Sequence, residues 1–180
     1  MFGLPPIQPE TATDQAAELL ADVHRFLGVT PNLALAMANS PAVLKAYLDS
    51  AGALRGGELP ESIRARIAVL VAQENRCDYG LSAHIHIGTK VTGLTREEMA
   101  DAREGRASDA RASAALALAT ALLRGRGAVT DADLAVAGAH LTHGEIAEVV
   151  ANVALNIFTT YLGKAGRVAV DWPLVRHDAP

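Results

Sequence analysis

Helix start and stop signals recur along the whole chain, and they constrain the fold more than any other feature of the sequence. Gly28 follows an apolar segment of helical spacing, where glycine commonly ends a helix, and Pro60 stands where proline can open one. The Thr-x-x-Glu segments at 95–98 and 142–145 have the capping-box pattern, in which each side chain bonds the other residue's backbone N–H. No stretch alternates with period two, so the sequence predicts helices and no sheet.

These signals divide the chain into seven to nine helices. They are expected at about 13–27, 32–39, 41–53, 60–76, 78–91, from 95, 108–123, 130–140 and 142–162. Asp78 and Ser108 are the expected N-caps of the helices that begin at those positions. A chain of 180 residues suits one domain with a substantial core. We therefore predict an all-α, single-domain helical bundle over residues 1–166, followed by an extended tail over 167–180 that packs on its surface.

Charge and hydrophobic patterning exclude several classes of protein. The net charge is −4 and no dense Lys/Arg run occurs, which argues against a nucleic acid or an anionic membrane as the main partner. No segment reaches the ~18 consecutive apolar residues of a membrane helix, and the N-terminus lacks the features of a signal peptide. We expect a cytoplasmic protein with no membrane partner. A single cysteine excludes an intrachain disulfide framework and a self-contained Cys-x-x-Cys pair.

Residues 74–88 hold the densest group of chemically reactive side chains. Cys77 stands at a predicted helix start, and His84 and His86 follow it. The helix N-terminus and the neighbouring Arg76 favour a thiolate, although a lone cysteine is otherwise a small buried hydrophobic residue. A histidine two turns further on can act as an acid or a base. His84 and His86 point about 200° apart on a helix, so we predict no metal site from this pair.

The segment 77–84, Cys-Asp-Tyr-Gly-Leu-Ser-Ala-His, resembles the Cys-x-x-Cys-x-x-x-His signature of the carboxymuconolactone decarboxylase / alkyl hydroperoxidase D-like superfamily. Residues 40–48 and 54–57 look like upstream helices of its peroxidase-related branch, and 145–159 look like that branch's last long helix. The resemblance covers about 30–170. It implies an alkyl hydroperoxidase D-like helical fold and a homo-oligomer, often a trimer or a hexamer.

The chain departs from the redox members of that superfamily at two positions. Gly80 stands where those members carry the second cysteine, which attacks peroxide. Ala65 stands where they tend to carry a glutamate that relays protons to the histidine. Glu61, one turn earlier, and Glu74, at the other end of the same helix, are the candidates to replace it. The dithiol peroxidase mechanism therefore lacks two of its usual parts.

Gly80 itself has two interpretations. A glycine inside a helix costs about 1 kcal/mol relative to alanine, and it leaves space directly beside His84. Either a substrate or cofactor occupies that space, or the glycine reflects a lost redox role or an introduced change. Cys77 is too far away to hydrogen-bond His84, because seven helical residues span about 10 Å.

Three functions remain in competition. The decarboxylase branch lacks both cysteines and keeps a histidine at the position of His84, and resemblance to it implies a non-redox enzyme of the decarboxylase, lyase or isomerase type. His84 would then act as acid and base on a small organic molecule, while Arg76 or another cation holds a carboxylate. The alternatives are a Cys77-dependent alkyl hydroperoxide reductase and a non-catalytic binding or scaffold protein with a decayed redox site. No cofactor is expected, and the candidate pocket residues are Gly80, Arg76, Glu74, Tyr79, His86 and Asn156.

Overall fold

A computed structural model describes residues 3–178, apart from the side chain of Phe26. Both chain ends fall outside the described residues, including the last two positions of the predicted tail. Within 3–178 the chain forms nine α-helices, a 3₁₀ turn at Pro9–Thr11 and no strand. The helices are α1 (Asp14–Leu27), α2 (Asn32–Met37), α3 (Pro41–Arg55), α4 (Glu61–Glu74), α5 (Asp78–Thr92), α6 (Arg96–Arg103), α7 (Ala110–Arg124), α8 (Asp131–Gly138) and α9 (His143–Ala165). The prediction of an all-α bundle of seven to nine helices is confirmed.

Most helices begin where local capping chemistry predicts. Thr95 and Thr142 each accept the backbone N–H of the glutamate three residues on, and both capping boxes are formed. The predicted cap at Ser108 is wrong by one residue, because the Asp109 carboxylate accepts the Ala112 N–H at 2.8 Å.

The start of α5 also differs from its expected cap. Cys77, and not Asp78, is the N-cap residue, and its Sγ accepts the Gly80 N–H at 3.4 Å. The Asp78 carboxylate instead accepts the backbone N–H of His177 at 2.9 Å. The Asp78 side chain, which the local sequence predicts as the helix cap, therefore bonds to the distant C-terminal segment instead.

The core is built around α4 and α9. Every residue of α4 from Arg66 to Ala72 is buried, and α4 packs against α5, α6, α7 and α9. Helix α9 packs against six helices, α2, α3, α4, α5, α7 and α8. The length and apolar composition of α9 would also allow a helix to cross a membrane. The core helix of a globular domain meets the same two criteria, so they do not distinguish the two cases.

The C-terminal segment 168–178 lies along α5 without forming a helix. The Val175 N–H donates to the Ser82 hydroxyl at 2.9 Å, and the Asp171 carboxylate accepts the Tyr79 hydroxyl at 2.9 Å. These bonds hold the segment against the N-terminal half of α5, which is the part of the chain that carries the reactive side chains.

Candidate functional site

One face of α5 borders a cavity of about 570 Å³. Side chains from α1, α2, α3 and α9 and from the C-terminal segment form its other walls. Most of these side chains are apolar, and the polar groups among them include Tyr47, Arg55, His84 and Asn156. A largely apolar space of this size with a few polar groups is the usual form of a site for a small molecule.

A second cavity of about 200 Å³ adjoins the first. Glu61, Arg64 and Ala65 of α4 line it, together with residues of α3, α5 and α9. His84 and Asn156 line both cavities, so they stand at the boundary between the two.

His84 combines burial with the absence of a structural partner. Its side chain is partly buried, and among the described residues nothing forms a hydrogen bond with its ring. Desolvation by burial lowers the pKa of its imidazole to about 4. The ring is therefore neutral at pH 7, with one nitrogen able to accept a proton and the other able to donate one. A perturbed ionisable group that faces a cavity and has no structural role is a candidate for catalysis.

Gly80 lines the larger cavity, but it has no empty volume for a side chain. A Cβ at this position would lie 3.0 Å from the Ala72 Cβ and 3.2 Å from the Thr160 Cγ2. The expectation of vacant space at position 80 itself is therefore wrong. The glycine allows α4, α5 and α9 to approach closely, and the open volume lies along the cavity in front of His84.

Cys77 is 1% exposed and lines neither cavity. It packs with Tyr79, and Trp172 of the C-terminal segment covers the cluster that contains both residues. Burial raises the pKa of its thiol, and this effect outweighs the opposing hydrogen bond from the Gly80 N–H. The expectation that the helix N-terminus and Arg76 favour a thiolate is wrong for this reason.

Three of the candidate residues lie away from the cavities. Glu74, the last residue of α4, and Arg76, in the turn between α4 and α5, are exposed, and Glu74 pairs with Arg124 at 3.4 Å. His86 is partly exposed on another face of α5. The structure does not bring these three side chains together with His84. Among the described residues, no group of three or more His, Cys, Asp or Glu side chains could hold a metal ion.

The two glutamates considered for a proton relay differ in position. Glu61 lines the smaller cavity together with His84 and Ala65, whereas Glu74 does not. Of the two, only Glu61 shares a cavity with the histidine.

Tyr79 and Asn156 line the larger cavity, with different hydrogen bonding. The Tyr79 hydroxyl donates to Asp171 and accepts the Leu33 N–H at 3.2 Å, and burial raises the pKa of this hydroxyl above its usual range. Its ring packs edge-on against Trp172, with centroids 5.6 Å apart. Tyr79 is thus held as part of the wall. The Asn156 amide N–H donates to a carbonyl within α9, which leaves its side-chain oxygen as an acceptor.

Sequence reasoning did not find the contribution of α3. Tyr47, Ala51 and Arg55 follow one another at four-residue spacing and line the larger cavity from one face of that helix. An arginine on an otherwise apolar helical face was the available signal. Trp172 is the second omission, because nothing local indicates that the C-terminal segment returns to the cavity.

Comparison with known proteins gives one family match. Residues 41–124 match the model of the Carboxymuconolactone decarboxylase family, a range that includes α3, α4 and α5. None of the curated proteins matches the chain.

Several solved structures share the fold over nearly the whole chain. The debrominase Bmp8 is 21% identical, with 93% of this chain and 91% of that chain covered and a TM-score of 0.79. An alanine variant of Bmp8 at one cysteine has been crystallised in complex with 2,3,4-tribromopyrrole.

Two peroxidase-related proteins are similar as well. The one from Silicibacter sp. TM1040 is 24% identical, with 92% of this chain and 88% of that chain covered and a TM-score of 0.79. The alkylhydroperoxidase AhpD core from Ralstonia eutropha JMP134 is 20% identical, with 95% and 93% covered and a TM-score of 0.82. The alkyl hydroperoxidase D-like fold expected from the sequence is confirmed.

Proposed function

We propose that the chain is a member of the carboxymuconolactone decarboxylase / alkyl hydroperoxidase D-like superfamily, and that it is an enzyme that uses His84 for acid–base chemistry without a dithiol. The substrate is a small organic molecule bound in the larger cavity, and the reaction is of the decarboxylase, lyase or isomerase type. One observation carries this proposal: the His84 imidazole, which has no hydrogen-bond partner among the described residues, faces a largely apolar cavity, and its burial lowers its pKa.

The geometry supports proton transfer by His84. A neutral imidazole takes a proton from an acidic C–H or O–H of the substrate and becomes an imidazolium. The same ring can return that proton to a different atom of the substrate, or to a leaving group. The pKa of about 4 describes the empty cavity, and negative charge that develops on the substrate raises it, so the base becomes stronger where charge appears. The Tyr47 hydroxyl and the Asn156 side-chain oxygen can orient the substrate's polar groups.

The arrangement disfavours the alternative of a Cys77-dependent alkyl hydroperoxide reductase. A thiol peroxidase needs an accessible thiolate, whereas the Cys77 thiol is buried outside both cavities and its pKa is raised. A decayed, non-catalytic site would be expected to fill with packed side chains. The cavity beside His84 instead favours a ligand.

We further propose that the enzyme acts in the cytoplasm as a homo-oligomer, a trimer or a hexamer. Val150 and Tyr161 on α9 are 44% and 61% exposed, and such apolar surface suits an interface between subunits.

The proposal is tested by proton exchange. We would incubate the protein in D₂O with a panel of small carboxylated lactones and related carbon acids, and follow loss of C–H signals by NMR. His84→Gln should slow exchange by about 100-fold or more, the usual contribution of a general base. His86→Gln is the matched control, since it changes the same residue type on the same helix outside both cavities, and it should exchange as wild type does.

The variant Cys77→Ser distinguishes the proposed acid–base enzyme from a Cys77-dependent hydroperoxide reductase. It should leave exchange unchanged, and neither it nor the wild type should reduce an organic hydroperoxide with added dithiothreitol. If the wild type reduces hydroperoxide and Cys77→Ser does not, the thiol mechanism replaces the one proposed.

A further inference from the structure

All of the charged residues that line the larger cavity are exposed to solvent. They are two acids and two bases: Asp22, Lys45, Asp49 and Arg55. The Lys45 ammonium pairs with the Asp49 carboxylate at 2.6 Å, and Asp22 pairs with Arg25. The four formal charges cancel, so the solvent-facing side of the cavity does not favour an anion over an uncharged molecule.

Arg55 is the one charged residue that lines both cavities with His84, and it does not make an anion site. Its guanidinium is exposed, and the nearby charge of the Glu61 carboxylate affects it more strongly than that of Arg64. Its charge is therefore already compensated within the protein. A ligand carboxylate beside Arg55 would remain in contact with water, where an ion pair contributes little to binding.

The polar groups that lie further inside the larger cavity are uncharged. The His84 imidazole is neutral at pH 7, and the Asn156 side-chain oxygen is left as an acceptor. The Tyr47 hydroxyl forms no hydrogen bond with a described residue, and burial raises its pKa, so it keeps its proton. A carboxylate has an ordinary pKa of about 4 and is ionised at pH 7. Burying it among neutral groups would leave its charge without a partner, which is strongly unfavourable.

Aromatic side chains are concentrated around this cavity. Tyr47, Tyr79 and Trp172 line it, although Phe, Trp and Tyr together make up only 4% of the chain. The Tyr79 and Trp172 rings are already packed edge to face, so they form a fixed aromatic wall. Aromatic rings bind other rings in stacked or edge-on contacts, so this wall favours a flat, unsaturated ligand.

We infer that the ligand of the larger cavity is an uncharged aromatic compound with a weakly acidic hydroxyl, a phenol, whose O–H donates to the His84 imidazole. A hydroxyl both donates and accepts, which matches a wall that offers acceptors at His84 and Asn156 and a donor at Tyr47. A phenol has a pKa of about 10, so it enters the cavity without a charge. A cation to hold a carboxylate, expected at Arg76, is not needed, and Arg76 lines neither cavity.

This inference deepens the proposed function by naming its substrate class. That the bound phenol is also turned over rests on the proposed function, whereas its binding does not. The two statements can therefore be tested separately, the first by proton exchange and the second by equilibrium binding.

The test compares three probes that share one ring system, 2-naphthol, 2-methoxynaphthalene and 2-naphthoate. The ether keeps the shape but lacks the O–H, and the carboxylate adds a charge. Binding to the whole chain at pH 7 is measured by ligand-observed NMR. 2-Naphthol should bind about tenfold or more tightly than the ether, the effect of one hydrogen bond to a buried acceptor. It should also bind more tightly than 2-naphthoate, because the anion loses its hydration without gaining a buried cation.

The variant His84→Ala tests which residue accepts the hydroxyl proton. The preference for naphthol over the ether should fall about tenfold, towards equal binding, because the acceptor is removed. A larger cavity affects both probes alike, so the ratio of their affinities reports the lost hydrogen bond and not a change of shape. His86→Ala is the matched control, since it removes the same side chain from α5 outside both cavities, and its preference should equal that of the wild type.

The inference is overturned if 2-naphthoate binds as tightly as 2-naphthol, if the ether binds as tightly as 2-naphthol, or if His84→Ala keeps the full preference. The ranking of the three probes on the wild type decides the ligand class even if His84→Ala does not fold. If naphthol binds as expected while His84→Gln keeps full proton exchange, the proposed function fails and the ligand class stands. If exchange depends on His84 while the ether binds equally well, the ligand class fails and the proposed function stands.

Discussion

Replacing Gly80 with alanine tests how closely three helices approach at the start of α5. A glycine-to-alanine change inside a helix normally stabilises a protein by about 0.5–1 kcal/mol, because it reduces the freedom of the unfolded chain. At position 80 the added methyl would lie 3.0 Å from the Ala72 Cβ and 3.2 Å from the Thr160 Cγ2. Carbon atoms in favourable contact are about 3.5–4.0 Å apart, so both contacts are too short.

Neither neighbour can move away cheaply. The Ala72 methyl is attached directly to the backbone of α4, and the Thr160 side chain is held by hydrogen bonds from Asn75 and to the Asn156 carbonyl, at 2.9 and 2.8 Å. Overpacking of this kind costs about 1–3 kcal/mol. After subtraction of the helix gain, Gly80→Ala should destabilise the fold by about 0–2 kcal/mol.

Gly52→Ala is the matched control. Gly52 lies inside α3, and a Cβ there would meet nothing within 4 Å. This variant should be stabilised by about 0.5–1 kcal/mol. Urea unfolding of both variants and the wild type, followed by circular dichroism at one protein concentration, gives the free energies of unfolding. The reasoning is refuted if Gly80→Ala is stabilised as much as Gly52→Ala, since that would mean that the three helices are not in close contact at Gly80.

Three further predictions concern other parts of the site. The pKa of His84 is about 4 against an ordinary 6.5, so the unfolded chain binds its proton first as the pH falls. The stability contributed by the neutral ring is complete above pH about 6.5, and up to about 3 kcal/mol of it is lost as the pH falls towards 4. Between those pH values the wild type should therefore lose more stability than His84→Gln. Equal losses in the two proteins would contradict the lowered pKa of His84. Cys77 is buried with a raised pKa, and native protein should be alkylated by iodoacetamide at least about tenfold more slowly than urea-unfolded protein at pH 8; equal rates would show an accessible thiol. Asp171→Ala removes the acceptor for the Tyr79 hydroxyl and the Asn32 N–H, so it should lower the free energy of unfolding by about 1 kcal/mol. It should also shift the fluorescence of the chain's single tryptophan. An unchanged spectrum would mean that the C-terminal segment does not depend on these bonds.

Much of the fold could be predicted because its signals are local. A capping box needs only the four residues of one turn, so Thr95 and Thr142 identify the starts of α6 and α9 without knowledge of the rest of the chain. Where a distant segment bonds the side chain that would cap a helix, the local prediction fails. Asp78 is the clear example, because its carboxylate is bound by His177 and Cys77 becomes the cap.

The candidate site could be predicted only in part, for the same physical reason. The identity of His84 and its place on a helix follow from the sequence, since the residue type supplies the chemistry. Its pKa does not, because desolvation depends on what other helices place around the ring. Cys77 shows the same limit: a helix N-terminus predicts a thiolate, whereas the C-terminal segment covers the thiol and raises its pKa.

The sequence by itself determined the helices, their ends and the residue types available for acid–base chemistry, because these depend on neighbours within one or two turns. Only the tertiary structure decided which side chains share a cavity with His84. Arg55 and Trp172 line that cavity from α3 and from the C-terminal segment, whereas Arg76, eight residues before the histidine, lines neither cavity. Proximity in space is set by the packing of helices whose sequence separation gives no indication of contact, and burial and charge at the site follow from that packing.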